Sequence, residues 1–218
     1  MRSLRRGLLA VAILSAISAV SCHRESSLRV RYLPGLVPAT ERVLPATTIA
    51  VLPVTGALAA GEFKVGAIYN PDGTLEAPLA VKDIGTTITE AVARALSDAG
   101  LKASIVAPGD GSSGSAFTFA TEIESISVDK HFAAEQTIHG QYFTMAAEVE
   151  LRFTLSSQGH PNLYTVVTSG NETEPPAPVN DEAFLPLETE PAESLSVALS
   201  RAIAALILQP EFRRALAS

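Results

Sequence analysis

The sequence is poor in cysteine, in tryptophan and in charged residues. Its 218 residues include one cysteine and no tryptophan, and 18% are charged. A single thiol cannot form an intramolecular disulfide, so the core has to be stable without covalent cross-links. The apolar fraction of 47% is sufficient for such a core. For this length we expect one domain with a tether, or two small domains.

The N-terminal apolar run is too short to cross a membrane. It covers residues 7–20, whereas a spanning helix needs about 20 apolar residues. Three arginines precede this run, Arg2, Arg5 and Arg6. A basic start followed by a short apolar stretch is typical of a secretory signal. We therefore interpret residues 1–21 as a signal peptide.

The only cysteine, Cys22, lies at the end of that signal, after Ala19-Val20-Ser21. This stretch resembles the lipobox of bacterial lipoproteins. The resemblance implies cleavage before Cys22, two acyl chains on its sulfur and an acylated amine. It also implies an outer-membrane location facing the periplasm, because His23 stands where an aspartate commonly retains lipoproteins in the inner membrane. The alternative is an ordinary secretory signal in which Cys22 has no role.

The mature chain is strongly acidic. Removal of residues 1–21 leaves 13 basic against 23 acidic residues, a net charge of −10. A surface of this sign argues against nucleic acid as a partner and against docking on anionic lipid headgroups.

The first half of the mature chain is predicted to contain three strands and one helix. We assign residues 22–46 to a tether and 47–218 to a single domain. The β-branched run "TTIAVLPV" (47–54) predicts a buried strand, and "EFKVGAIYN" a second one. An apolar stripe at spacings of three and four predicts a helix over 81–99. The segment "LKASIVA" (101–107) predicts the next strand.

The second half shows three longer strands and a closing helix. Over 117–128 the apolar residues change parity, which a β-bulge near Ser125 would reconcile. Strict alternation over 145–155 predicts a strand with one buried and one exposed face, and 162–170 predicts the third strand of a meander. A second apolar stripe predicts a helix over 192–208.

Residues 171–193 differ from the rest of the chain. They contain seven acidic residues, five prolines and no lysine or arginine. Such a composition favours an extended, mobile excursion. With the other elements, the expectation is an α+β fold: a mostly antiparallel sheet of about five to six strands, covered on one face by two amphipathic helices.

The sequence carries no recognisable catalytic motif. Its histidines show no metal-ligand spacing, although His131 and His139 flank Glu135 closely enough to suggest a metal site as a minor alternative. Glu148 and Glu150 share one face of a strand and are most simply a solvated surface, with a cation-binding or partner-binding role as the minor alternative. We expect no enzyme activity, no cofactor and no metal.

Over residues 22–216 the layout resembles the YajG-type family of outer-membrane lipoproteins. The resemblance rests on the lipobox, "IAVLPV", "VGAIYNPDG", "ITEAVARALSDAGLKASIV" and "LSVALSRAIAALILQPEFRRAL". It implies a location and a fold, with no catalytic residues. The auxiliary lipoproteins of envelope ABC transporters share the same plan of strands followed by a helix.

Three functions follow as hypotheses. In the first, a membrane-anchored module binds an unknown envelope protein through "AFLPL", with Phe184, Leu185 and Leu187 as contacts, unless these side chains pack on their own sheet. In the second, an auxiliary subunit of a lipid or solute transport system binds an apolar ligand. Its pocket would be lined by Phe119, Met145, Phe153 and Ile203. In the third, a hydrolase joins His131 or His139 to a serine and an acid.

Overall fold

The computed structural model describes residues 26–36, 47–107, 114–137, 140–178 and 189–217. Within them, eight strands belong to one sheet and three helices pack on it. In chain order the elements are β1 (Ser26–Leu28), β2 (Thr48–Val51), β3 (Glu62–Tyr69), β4 (Leu75–Lys82), α1 (Ile84–Asp98), β5 (Lys102–Ile105), β6 (Phe117–Thr137), β7 (Gly140–Ser157), β8 (His160–Pro178), α2 (Thr189–Leu208) and α3 (Pro210–Leu216).

The sheet is built around β6, which is 21 residues long. One edge of β6 pairs with β7 in antiparallel fashion, from Phe117 opposite Ser157 onwards. The register shifts between Ile123 and Ser125, so Glu124 is an extra residue without a cross-strand partner. This confirms the predicted bulge. Because of it, the two apolar halves of β6 both face the helices although their parities differ.

The other edge of β6 is shared by two strands that lie end to end. β2 pairs in parallel with its first half, where Val51 lies opposite Phe119. β3 pairs in parallel with its second half, where Gly66 lies opposite Val128. A Cβ atom on Gly66 would lie 1.7 Å from the Val128 carbonyl oxygen. Glycine at this position therefore allows β3 to approach β6 closely.

The predicted sheet was wrong in size and in pairing. Eight strands are present among the described residues, not five to six, and the sheet is mixed instead of mostly antiparallel. Four of its seven strand pairings are parallel, those of β1 with β4, β2 with β5, β2 with β6, and β3 with β6. The helices number three in the same part of the chain, not two.

The error has a physical origin in the parallel pairings. Parallel strands join residues that are far apart in the chain, such as Val51 with Phe119, and no local alternation encodes that contact. A run buried on both faces, as Ile49, Ala50 and Val51 are, is typical of a parallel strand. The antiparallel meander β6–β7–β8, which local patterns do encode, was predicted correctly in order and direction.

Several strands and helices occupy residues that were predicted to be tether, loop or excursion. β1 lies within the predicted tether, and β4 occupies a stretch that was not expected to be a strand. Both ends of the acidic segment 171–193 belong to regular secondary structure. β8 continues to Pro178, and α2 begins at Thr189.

Helix α2 is the principal cover of the β7–β8 region. Its predicted apolar stripe is confirmed, since Leu195, Leu199 and Leu206 are at most 1% exposed. The helix is long and apolar enough to cross a membrane by composition alone, but most of its apolar window is buried against the sheet. We therefore assign it to the core of the domain.

The close approach of α2 to β8 depends on Gly170. A Cβ atom there would lie 1.9 Å from the Ala198 carbonyl oxygen and 2.5 Å from the Ala202 amide nitrogen. Two residues away along β8, the buried Thr168 hydroxyl donates a 2.6 Å hydrogen bond to the Ala202 carbonyl oxygen. The strand and the helix backbone are thus in direct contact at this point.

The remaining helices close the core at its two sides. On α1 the predicted stripe is confirmed, since Ile84, Ile88, Val92 and Leu96 are at most 2% exposed. On α3 the buried Phe212 ring lies 6.0 Å from the Phe119 ring in an edge-on arrangement.

Substitution of Gly170 by alanine should destabilise the domain by about 3 kcal/mol, because backbone atoms of α2 must move to accept the new methyl group. Gly35→Ala is the matched control, since a Cβ there meets nothing within 4 Å. Urea denaturation of both variants measures the difference. Equal stability of the two would contradict the close contact between β8 and α2.

Candidate functional site: the anchor end of the domain

One end of the sheet brings together the start or the finish of six elements, and we call it the anchor end. Tyr69, the last residue of β3, lies opposite His131 of β6. β4 begins there with Leu75, which pairs with Tyr69. β8 ends there with Pro178, opposite Tyr142 near the start of β7. The connection between β6 and β7 and the first turn of α2 complete this end.

The N-terminal strand enters the sheet from the same end. β1 runs parallel to β4, with Ser26 opposite Leu79. Cys22 lies outside the described residues, but it precedes Ser26 by only four positions. Four residues span at most about 14 Å even when fully extended. A lipid on Cys22 would therefore be attached within that distance of β1.

The chain that follows β1 is held on α2 by two buried serines. The Arg31 N–H donates a 3.1 Å hydrogen bond to the Ser196 hydroxyl, and the Leu33 N–H a 2.8 Å hydrogen bond to that of Ser200. Each hydroxyl in turn donates to a carbonyl one turn earlier in the helix. Residues of the predicted tether are thus integral to the domain.

Lys130 is a buried cation at the anchor end. Its side chain is 4% exposed, and its ammonium group forms an ion pair with Glu190 in the first turn of α2. The nitrogen also lies 4.1 Å from the ring centre of Phe143 and 5.1 Å from that of Phe132. Two aromatic faces and one carboxylate thus compensate the loss of water around the charge.

This ion pair joins the first turn of α2 to β6. β8 ends at Pro178 and α2 begins at Thr189, so residues 179–188 connect two points of the anchor end. The predicted partner contacts Phe184, Leu185 and Leu187 belong to this connection. They lie outside the described residues.

The turn between β3 and β4 forms the exposed corner of the anchor end. It has the turn chemistry predicted by "NPDG", with the Gly73 N–H donating to the Asn70 carbonyl. The hydroxyl and then the N–H of Thr74 donate to the Asp72 carboxylate and lower its pKa. Leu75, the next residue, is 48% exposed. The corner therefore presents one ionised carboxylate beside one exposed apolar side chain.

The four residues predicted to line a pocket are all in the core. Phe119, Met145, Phe153 and Ile203 are each at most 1% exposed. The rings of Phe119 and Phe153 lie 5.6 Å apart, and Phe119 also contacts Phe212 of α3. A ligand at this position would have to displace these mutual contacts.

The polar residues singled out in the sequence are dispersed. His131 is exposed, and its ring stacks on that of Tyr69 at 4.5 Å. His139 lies outside the described residues. Glu148 and Glu150 occupy the face of the sheet opposite α2. Among the residues that the structure describes, no group of three acidic, histidine or cysteine side chains could hold a metal ion.

Sequence reasoning missed Lys130 and Glu190. A signal for Lys130 existed, because it shares the inward parity of Val128 and is the one basic residue of that series. No such signal existed for Glu190, because the composition of the acidic segment in which it lies led us to predict a mobile excursion.

Comparisons with known proteins give no family. No family model and no curated protein matches the chain. Among solved structures, protein XCC0632 from Xanthomonas campestris, of family DUF330, is similar over 84% of this chain and 91% of its own, at 14% identity and a TM-score of 0.49. A neuraminyllactose-binding hemagglutinin homologue from Helicobacter pylori is similar over 87% and 96%, at 7% identity and a TM-score of 0.40. Likenesses this distant carry no argument about function, and the YajG resemblance stays a prediction.

Loss of the Glu190 charge should cost more than loss of its partner. Glu190→Gln leaves the Lys130 cation buried without a counter-charge, and we expect a loss of about 3 kcal/mol in unfolding free energy. Lys130→Met removes the charge together with its desolvation cost, so the loss should be smaller.

The matched control is Glu193→Gln. Its pair with Arg31 is exposed and 3.9 Å long, so its removal should change stability by less than about 1 kcal/mol. Chemical denaturation measures all three variants. Equal losses for Glu190→Gln and Glu193→Gln would show that the Lys130 pair has no special weight.

Proposed function

We propose that the chain is a lipoprotein of the bacterial envelope, anchored through Cys22, whose domain binds an envelope protein without catalysing a reaction. By its resemblance to the lipobox, we place it on the periplasmic face of the outer membrane. The YajG-type plan is consistent with this location. The anchor, the position of the domain near the bilayer and the partner are separate parts of the proposal.

The observation that carries the proposal is the short chain between Cys22 and β1. Four positions separate Cys22 from Ser26, and the residues after β1 are bonded to Ser196 and Ser200 of α2. A domain attached in this way has no long spacer. An acylated Cys22 would hold the start of β1 within about 14 Å of its lipid.

A binding role, and not a catalytic one, is supported by the structural contacts that the buried polar groups make. Lys130 is paired with Glu190, Ser196 and Ser200 hold the N-terminal segment, and Thr168 bonds to α2. Each of these groups supports the architecture. The segment that contains Phe184, Leu185 and Leu187 has both of its ends at the anchor end, so a partner that contacts it would lie close to the membrane.

An apolar-ligand carrier, the alternative from the sequence, receives less support. The four side chains proposed for its pocket are packed against one another and against α3. A pocket there would require α3 to move away from Phe119. We therefore favour a protein partner over a lipid or solute ligand.

The decisive variant for the anchor is Cys22→Ala. The wild-type protein should show a mass that begins at residue 22 with added acyl chains, and it should fractionate with membranes. The variant should lack the acyl mass and leave the membrane fraction. Intact mass spectrometry and fractionation measure both.

His23→Ala is the matched control, because it changes the adjacent residue and retains the thiol. It should remain acylated and membrane-bound, with any change confined to the choice of membrane. A wild-type protein that is soluble and carries no acyl chain would overturn the proposal.

A further inference from the structure

The outer strand of the meander, β8, has a free edge. It is 19 residues long and, among the described residues, pairs with β7 alone. A strand of this length with an unpaired edge presents a row of N–H and C=O groups to which another strand can bond. Natural proteins usually shorten, charge or cover such an edge.

The direction of the free groups follows from the pairings of the sheet. The backbone atoms of Phe119 and Thr121 bond towards β2, so the even residues of this half of β6 bond to β7. Since each strand alternates, the odd residues of β7 bond to even residues of β8, such as Leu151 to Thr168. The odd residues of β8 therefore point outward. Consistent with this, the Asn171 carbonyl accepts a hydrogen bond from the guanidinium of Arg201.

The outward groups at positions 163, 165, 167 and 169 have no backbone partner among the residues that the structure describes. The stretch 163–171 of β8 contains neither proline nor a charged residue. Glu172, which follows it, is already paired with Arg201. Val167, in the middle, is 43% exposed. Over residues 163–169, the part of the chain that the structure describes therefore gives this edge none of the usual protection.

The exposed face beside this edge is acidic. Glu150 of β7 lies opposite Ser169, and Glu148 lies opposite Asn171. Neither carboxylate has an ion-pair partner in the described part of the chain. The nearby Arg152 is engaged by Glu124 at 2.9 Å and by Glu122 at 3.6 Å.

A strand added to β8 would lie about 10 Å from β7, two strand spacings away. Ser169 between them is small, so a lysine or arginine on the added strand can extend across it towards Glu150.

We propose that the free edge of β8 binds an extended segment of a partner protein, which adds to the sheet as a ninth strand. The segment is basic on the face that it shares with Glu148 and Glu150. Main-chain hydrogen bonds to positions 163–169 give affinity, and the acidic face selects lysine and arginine. This inference rests on the proposed partner-binding function and names its surface and the chemistry of the partner.

A second copy of this chain fits the edge less well. Two β8 strands related by a two-fold axis pair in antiparallel fashion. The anchor ends of the two copies would then point in opposite directions, and both Cys22 lipids could not enter one bilayer while the strands stand upright on it. An added strand from a different protein meets no such conflict.

The test uses the full-length protein in detergent micelles and a capped heptapeptide of alternating lysine and valine. A peptide of alternating glutamate and valine is the control ligand. We expect saturable binding of the basic peptide alone, with hydrogen exchange slowed at least about tenfold at the amides of Thr165, Val167 and Ser169. Sedimentation should show one copy of the protein per complex.

Three variants test whether the binding uses the edge and the acidic face. Ser169→Pro removes an outward N–H but no bond to β7, so the domain should stay folded while binding is lost. Val167→Lys is a second edge variant that retains the backbone groups and repels the basic peptide. Glu148→Gln with Glu150→Gln should weaken binding about tenfold, because the peptide loses both counter-charges.

Glu62→Gln with Glu76→Gln is the matched charge control, since both side chains are exposed on β3 and β4. This pair should bind like the wild type. Protection of the β8 amides by self-association, equal binding by every variant, or absence of binding would each overturn the inference. The anchor is measured separately by the mass of Cys22, so failure of this test leaves the lipoprotein proposal standing.

Discussion

The extra residue in β6 is the constraint on which the sheet depends. Without Glu124, the side chains before and after it would face opposite sides, and either Phe119 or Val128 would be turned towards water. With Glu124 in place, the apolar side chains of both halves of β6 face one core. Both edges of β6 are paired, one with β7 and the other with β2 and β3. The carboxylate of Glu124 itself bonds to Arg152 of β7, so the bulge is held from the exposed face.

The length of β6 also decides what meets at the anchor end. β2 and β3 share one edge of it, and only β3 reaches the end where Lys130 lies. There the Lys130 ion pair with Glu190 joins the start of α2 to β6, and α2 holds the residues that follow β1. A buried charge thus links the sheet, the covering helix and the segment nearest to Cys22.

Local patterns were sufficient for the parts of the fold that depend on local contacts. The bulge near Ser125, both helix stripes and the meander follow from periodicity alone. The parallel pairings did not, because they join β2 and β3 to a strand that lies far along the chain. The site was harder to predict than the fold. Composition placed Glu190 in a mobile excursion, and only the folded chain shows that it compensates the charge of Lys130.

A measurement of how the domain is oriented on the membrane tests attachment through the anchor end most directly. Because acylation consumes the thiol of Cys22, an introduced cysteine at Thr74 or at Gln158 takes a unique fluorophore. Thr74 lies at the anchor end and Gln158 at the opposite end, about 40 Å away along β7. In vesicles with a headgroup quencher, fluorescence should be quenched at position 74 and retained at position 158. Equal quenching at both positions, or stronger quenching at 158, would contradict attachment through the anchor end.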